Sequence, residues 1–285
     1  MSDLDSTDAL TSKQADDVLA VTAAAAASDG VEPLNESALL ALRHPGHARH
    51  WLATEAGRLV GYAQFVDGAG QLVVHPSARR QGRGIVLLDA LSAHAGDGLA
   101  VWAFGDLPAA RALANRAGLA RSRGLLVLSR ALGDAATPAP GAVELRPYTA
   151  ADLDALHAMN AEAFAAHPEQ GRLGVDDLRA RMSEPWFDAD GLILAFADGQ
   201  PAGFHWTKRH DDGTGEVYVL GVRPAFAGRG LGRVLLDAGL AHLSQVGLRE
   251  VKLWVEADNE TALRLYRRAG FQVVRADFLY TLDRA

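Results

Sequence analysis

A chain of 285 residues that is 49% hydrophobic and 22% charged has the composition of a globular protein, with length for about two domains. Its net charge of −7, with Asp3, Asp5 and Asp8 opening the chain, excludes the broad basic face that non-specific nucleic-acid binding needs. The absence of cysteine rules out disulfides, thiolate metal sites and a cysteine nucleophile, and no apolar run approaches the ~18 residues of a membrane span. No charged-then-apolar leader is visible, so a cytoplasmic location is expected, with no nucleic acid and no membrane among the partners.

In chain order, Thr11 or Ser12 can cap a helix running to about residue 27, and Asn35 a second one through 42. Strand-like runs follow at 51–53, 59–66 and 71–74. A helix over 84–94, a strand at 99–104, a helix over 109–117 and a strand at 125–129 close this half. Residues 133–141, rich in Pro, Gly and Ala without apolar periodicity, read as a linker between domains 1–132 and 142–285. Beyond it come a strand at 143–146, helices over 150–165 and 175–181, and strands at 192–197, 202–208 and 216–222. A helix over 230–246, a strand at 250–256, a helix over 261–269 and a strand at 271–280 complete the order. Helices alternating with strands around a central run of hairpins predict an α/β fold of the α+β kind, a mixed sheet covered by helices, present twice.

The duplication is visible in the residues. Val74-His75-Pro76-Ser77-Ala78-Arg79-Arg80-Gln81-Gly82-Arg83-Gly84 recurs as Val222-Arg223-Pro224-Ala225-Phe226-Ala227-Gly228-Arg229-Gly230-Leu231-Gly232. Each copy joins a strand to a helix through a glycine-rich turn, where free N–H groups and the helix dipole favour an anion such as phosphate. Gly82 and Gly230 would let the turn form and approach a ligand, and Gly84 and Gly232 would let the helix pack close to the strand. Arg79, Arg80 and Arg83, or Arg229 and Arg233, could add positive charge. A single copy could be a plain strand–turn–helix connection; two at matching places point to a shared purpose. Neither fits a P-loop, which needs Gly-Lys-Ser/Thr, or the G-x-G-x-x-G of a dinucleotide fold.

The pattern Arg79-Arg80-Gln81-Gly82-Arg83-Gly84, its looser copy Ala227-Gly228-Arg229-Gly230-Leu231-Gly232, and the N-x-x-A-x-x-x-Y-x-x-x-G-F arrangement from Asn259 to Phe271 resemble the GNAT acetyltransferase superfamily. Ala227, where that family often has Gln or Arg, departs mildly. The resemblance implies two tandem GNAT domains with acetyl-CoA as co-substrate and no metal. It implies cofactor contacts at Leu72, Val73, Val74, Arg80, Gln81, Gly82, Arg83, Gly84 and Ile85 in the first copy. In the second it implies Leu220, Gly221, Val222, Ala227, Gly228, Arg229, Gly230, Leu231, Gly232 and Arg233, with Asn259, Glu260, Thr261, Ala262, Leu263 and Arg264 beside the pantetheine.

Acyl transfer from a thioester to an amine needs a group that takes the amine proton, and an acid for the departing thiolate helps. In the second half Glu216 opens the strand that runs into the cradle, and Tyr266 lies in Leu265-Tyr266-Arg267-Arg268-Ala269-Gly270-Phe271. Counting from the cradles, the first half has Gly68 and Ala114 at these places. The expectation is a catalytic C-terminal domain, with Glu216 as base and Tyr266 as acid at one thioester, and a non-catalytic N-terminal domain. A Glu at a strand start can instead be merely solvated, and a Tyr beside Leu265 and Phe271 can be core.

The segments His167-Pro168-Glu169-Gln170-Gly171, Glu184-Pro185-Trp186-Phe187-Asp188, Phe204-His205-Trp206-Thr207-Lys208 and Glu216 to Val222, on a tandem chain, resemble the mycothiol synthase family. That implies acetylation of the cysteinyl amine of cysteinyl-glucosaminyl-inositol, with Glu36, Glu169, Lys208, Glu216 and Trp254 contacting this substrate; a monomer is expected, although the sequence carries no signal for or against self-association. Glu36 is equally explained as an acid in the first turn of a helix capped by Asn35, Glu169 as a solvated loop carboxylate, and Lys208 as an exposed hairpin lysine. Action on a protein N-terminus, a lysine or another small amine is the rival reading; a non-catalytic acetyl-CoA sensor is a third. His44, His47 and His50 lack an acidic partner and read as surface histidines rather than a metal site.

Overall fold

The computed structural model describes residues 3–43, 46, 48–133, 143–167 and 170–282, which fall into two units: Met1–Leu125 with Arg275–Ala285, and Leu126–Val274. Among the described residues no helix is long and apolar enough to cross a membrane.

The first unit runs β1 (Asp3–Thr7), α1 (Ser12–Asp29), α2 (Glu36–Ala41), β2 (Ala48–Glu55), β3 (Arg58–Val66), β4 (Ala69–Val74), α3 (Arg83–Ala95), β5 (Ala100–Ala103), α4 (Pro108–Arg116) and the start of β6 (Leu119–Ala131). The cap residues act as expected: Thr11 and Gln14 form a capping box on α1, and Asn35 Oδ1 accepts from the Ala38 N–H at 2.9 Å. Strand β1 is a correction, because Asp3 and Asp5 read as part of an acidic opening. They alternate with Leu4 and Ser6 along an edge strand that pairs antiparallel with β2, from Asp3–Thr54 to Thr7–His50. Charge on an edge discourages pairing with a further chain, so an acidic strand fits there. Trp51, Leu87, Leu88 and Leu91 form a core with α3 and α4, while Val18, Val21, Leu34 and Tyr62 pack toward α1 and α2.

The second unit continues with β7 (Val143–Pro147), α5 (Leu153–Ala163), α6 (Val175–Met182), β8 (Leu192–Ala197), β9 (Gln200–Arg209), β10 (Gly215–Val222), α7 (Leu231–Gln245), β11 (Glu250–Glu256), α8 (Glu260–Arg268) and the start of β12 (Gln272–Leu282). Neighbouring strands β7-β8-β9-β10 are antiparallel, and β10 and β11 are parallel. Leu236, Leu240, Leu253 and Tyr266 pack on the α7 and α8 side; Leu156, Met159, Leu178 and Trp206 pack with α5 and α6.

This division differs from one drawn at the 133–141 linker, most of which lies outside the described residues. The reason is strand pairing. Phe278–Thr281 of β12 pair antiparallel with Ala103–Ala100 of β5, so the end of the chain clusters with the first unit. Leu126–Ala131 of β6 cluster with the second, where Ser129 Oγ donates to Glu250 at 2.6 Å.

His205 on β9 is fully enclosed. It meets the Leu235 carbonyl through Nδ1 at 2.8 Å, while its Nε2 is buried without a partner. Burial pushes its pKa from 6.5 down to about 4, only partly opposed by the hydrogen bond to Leu235. Between those values the unfolded chain takes up a proton that the folded chain refuses, so stability falls as pH drops, by up to about 1.4 kcal/mol per pH unit. Thermal unfolding from pH 7 to pH 4 is expected to show this slope, and His205→Leu to flatten it. An unchanged slope in the variant would refute the assignment.

Candidate active site

The two cradles have matching backbones. Each strand, β4 or β10, passes through a single 3-10 turn (Pro76–Ala78 or Pro224–Phe226) into α3 or α7. Gly82 (φ +81°) and Gly230 (φ +80°) precede the helices in the left-handed region, which glycine adopts without strain, and no side chain caps either helix. The first N–H groups of α3 and α7 therefore remain available to an anion. Gly84 and Gly232 correct the expectation of a helix squeezed against its strand. A Cβ there would meet Leu113 or Leu265 at an ordinary 3.6 Å, so neither glycine is demanded by close packing.

The arginines of the first cradle are largely committed inside the protein. Arg79 forks onto Asp29 with two 2.7 Å bonds and reaches the Val74 carbonyl. Arg83, only 6% exposed, donates to Glu55, Gln81 Oε1 and the Ala78 carbonyl. Their charge is neutralised locally, leaving Arg80 exposed. In the second cradle Leu231 replaces Arg83 and is core, while Arg229 and Arg233 are exposed beside Asp198 and Asp237.

Ahead of each cradle the sheet parts. Parallel pairing of β4 with β5 is confined to Gly70–Val101, and that of β10 with β11 to Gly215–Val251 and Glu216–Lys252. In the first unit a cavity of about 860 Å³ follows, lined by Leu72, Val74, Gly84, Ile85, Trp102 and Leu113 among others. An apolar cleft ending at open helix N–H groups fits the pantetheine and pyrophosphate of acetyl-CoA. Asn259 caps α8 by accepting from Ala262 N–H at 3.0 Å, and Leu263, 2% exposed, is a core residue with no side-chain surface for a ligand.

The copies differ in strand register. The β3–β4 ladder is regular, whereas β10 carries a bulge between Val217 and Val219 that makes Tyr218 an extra residue. Glu216 pairs with Lys208 on β9, and the corresponding pair in the first unit is Ala69–Val66. The true counterpart of Glu216 is thus Ala69, one residue beyond the Gly68 reached by counting. Neither is a carboxylate.

Glu216 is 8% exposed. Its ladder neighbours are Lys208 and Lys252, and its Oε2 lies 2.5 Å from His210 Nε2. The Lys208 ammonium sits 4.5 Å from the Trp186 ring centroid and 5.2 Å from that of Tyr218. Trp254, 36% exposed on β11, has Lys252 Nζ 5.5 Å from its ring. Tyr266 packs with Val217, Val251 and Leu253 on the α7 and α8 side, and burial pushes its phenol above the usual range. Since Val217 and Val251 face that side, alternation turns Glu216, Lys252 and Trp254 to the other. The sheet does not bring Glu216 and Tyr266 together on one face: the carboxylate lies on the side opposite the core that holds the phenol.

Glu36 opens α2 in the first unit, as its first-turn reading required. Glu169 lies outside the described residues, as do His44 and His47; His50 is buried against Tyr62, not on the surface. Among the described residues no group of three or more His, Cys, Asp or Glu could hold a metal. Sequence reasoning missed His210 and the approach of His167 Nε2 to Glu256 at 3.7 Å. The turn residues Asp211-Asp212-Gly213 were a usable signal, because a tight hairpin there returns Glu216 beside His210.

The Acetyltransferase (GNAT) family model matches residues 155–271 and an Acetyltransferase (GNAT) domain model residues 46–119. The chain is 49% identical over 283 residues to a protein of Thermomonospora curvata named mycothiol acetyltransferase, covering 96% of this chain and 95% of that one. It is 48% identical to one of the same name from Geodermatophilus obscurus, covering 89% of each. In structure it is similar to a GCN5-related N-acetyltransferase from Sphaerobacter thermophilus (TM-score 0.72, 24% identity, 97% of this chain and 94% of that one). It is also similar to a tandem GNAT protein of the clavulanic acid pathway (TM-score 0.74, 19% identity, 98% of each). With two GNAT domains and relatives of this closeness, the chain belongs to the GNAT acetyltransferases, within the mycothiol acetyltransferase family.

Proposed function

We propose that this enzyme moves an acetyl group from acetyl-CoA to the cysteinyl amine of cysteinyl-glucosaminyl-inositol, completing mycothiol, and that the second unit performs the chemistry. The name borne by the relatives supports the acceptor. The observation that carries the division of labour is the buried Glu216 before the β10 bulge, against Ala69 on a regular β4.

Acetyl-CoA supplies an activated thioester carbonyl when bound. The α7 N-terminal N–H groups behind Gly230 would hold the pyrophosphate, with Arg229 and Arg233 at its rim. Backbone N–H groups around Leu220, Gly221 and Val222, on the stretch where β10 has left β11, would stabilise the developing oxyanion. Glu216 takes the amine proton from one side of the opening, and the Tyr266 hydroxyl protonates the departing sulfur from the other. Glu169, Lys208 and Trp254 would meet the hydroxylated acceptor, and Glu36 is assigned to it on resemblance alone. The first unit's cradle and cavity would bind acetyl-CoA without turnover.

The test is acetyl-CoA consumption with desacetylmycothiol beside a panel of peptides. Turnover of the sugar thiol is expected; peptide turnover alone would reject the acceptor. Tyr266→Phe is expected to lower kcat by ~10-fold or more with little change in KM. A wild-type kcat in that variant would remove Tyr266 from the mechanism.

A further inference from the structure

Resting on the reading of Glu216 as base, we propose that His210 positions this carboxylate and passes the proton it collects to solvent. Three observations point there. His210 Nε2 lies 2.5 Å from Glu216 Oε2, and the imidazole side chain is 24% exposed whereas that of the carboxylate is 10% exposed. The turn is pinned: His210 N–H donates to the Thr214 carbonyl at 2.9 Å, Gly213 N–H returns to the His210 carbonyl at 3.0 Å, and Thr214 N–H donates to Asp212 Oδ1 at 2.9 Å. Asp212 is held below its usual range chiefly by that Thr214 N–H, with Lys252 and His210 adding positive field. Other charged residues on the neighbouring elements are Lys208, the ladder partner of Glu216, Arg209 and Asp211 beside His210 in sequence, and Arg181 of α6, which donates to the Tyr218 hydroxyl at 3.1 Å.

A base hidden from water must be emptied after each turnover. When the N–H bond of the attacking amine breaks, its electron pair stays on nitrogen and the proton joins the carboxylate. His210 then passes a proton from Glu216 to water, which returns the carboxylate to the form that accepts the next one. His210 touches no reacting atom; it acts through Glu216.

The experiment compares His210→Ala, His210→Gln and Glu216→Gln in full steady-state kinetics at several buffer concentrations. His210→Ala is expected to lower kcat by about 10-fold, with both KM values within about twofold of wild type. Added imidazole or concentrated buffer base should restore the rate in His210→Ala but leave wild type unaffected. His210→Gln should keep a hydrogen bond to Glu216, lose the same rate and resist rescue, since glutamine fills the space. Rates within twofold of wild type in both His210 variants would overturn the proposal, as would a loss that imidazole and buffer never restore. If Glu216→Gln retains wild-type rates, the base assignment itself fails; if it is inactive while His210→Ala is normal, only the role of His210 falls.

Discussion

Glu216→Gln is expected to lower kcat by about 10²-fold or more while leaving the KM for acetyl-CoA nearly unchanged. Glutamine has the shape of glutamate and can still hydrogen-bond His210, so packing before the bulge survives. It cannot accept a proton. Loss confined to kcat would separate chemistry from binding, because the cradle lies at the other end of β10, beyond Val222. A converse change in the first unit, Ala69→Glu, should give no second active centre, since β4 has a regular ladder where β10 bulges. Steady-state rates with acetyl-CoA and the acceptor decide both points. A Glu216→Gln enzyme with near wild-type kcat would dismiss this carboxylate as base.

Gly239→Ala is expected to cost about 3 kcal/mol of stability, at the upper end of the range for an overpacked core. Gly239 lies inside α7, where alanine is favoured over glycine by about 1 kcal/mol. That gain is outweighed here, because a Cβ would stand 2.1 Å from the Cε1 and Nδ1 of His205. The imidazole cannot yield: it is fully buried and tied to the Leu235 carbonyl. The melting temperature should fall by roughly 10 °C, and pairing the change with His205→Ala should recover part of it, the mark of direct contact. Additive effects of the two substitutions would disprove the clash.

The structure explains why some features were legible in the residues and others were not. Helix caps at Thr11 and Asn35, the Gly82 and Gly230 turns and the apolar periodicity of α7 are local, so sequence spacing reports them directly. The bulge at Tyr218 is a property of pairing between two strands, and counting along one chain misplaced the partner of Glu216 by one residue. His210 was passed over for a related reason: its meaning lies across a hairpin, in Glu216. Arg79 and Arg83 looked like phosphate ligands because their partners, Asp29 and Glu55, are distant in sequence. Asp3 and Asp5 have the composition of a solvated tail, and only the neighbour β2 makes them a strand.

The placement of Phe278–Thr281 against β5 bears on how the protein is made. During synthesis the first unit leaves the ribosome first but waits for Phe278–Thr281 to pair with β5, whereas Leu126–Val274 emerges ahead of that segment. Maturation thus runs against the direction of translation: the unit that begins first is completed last.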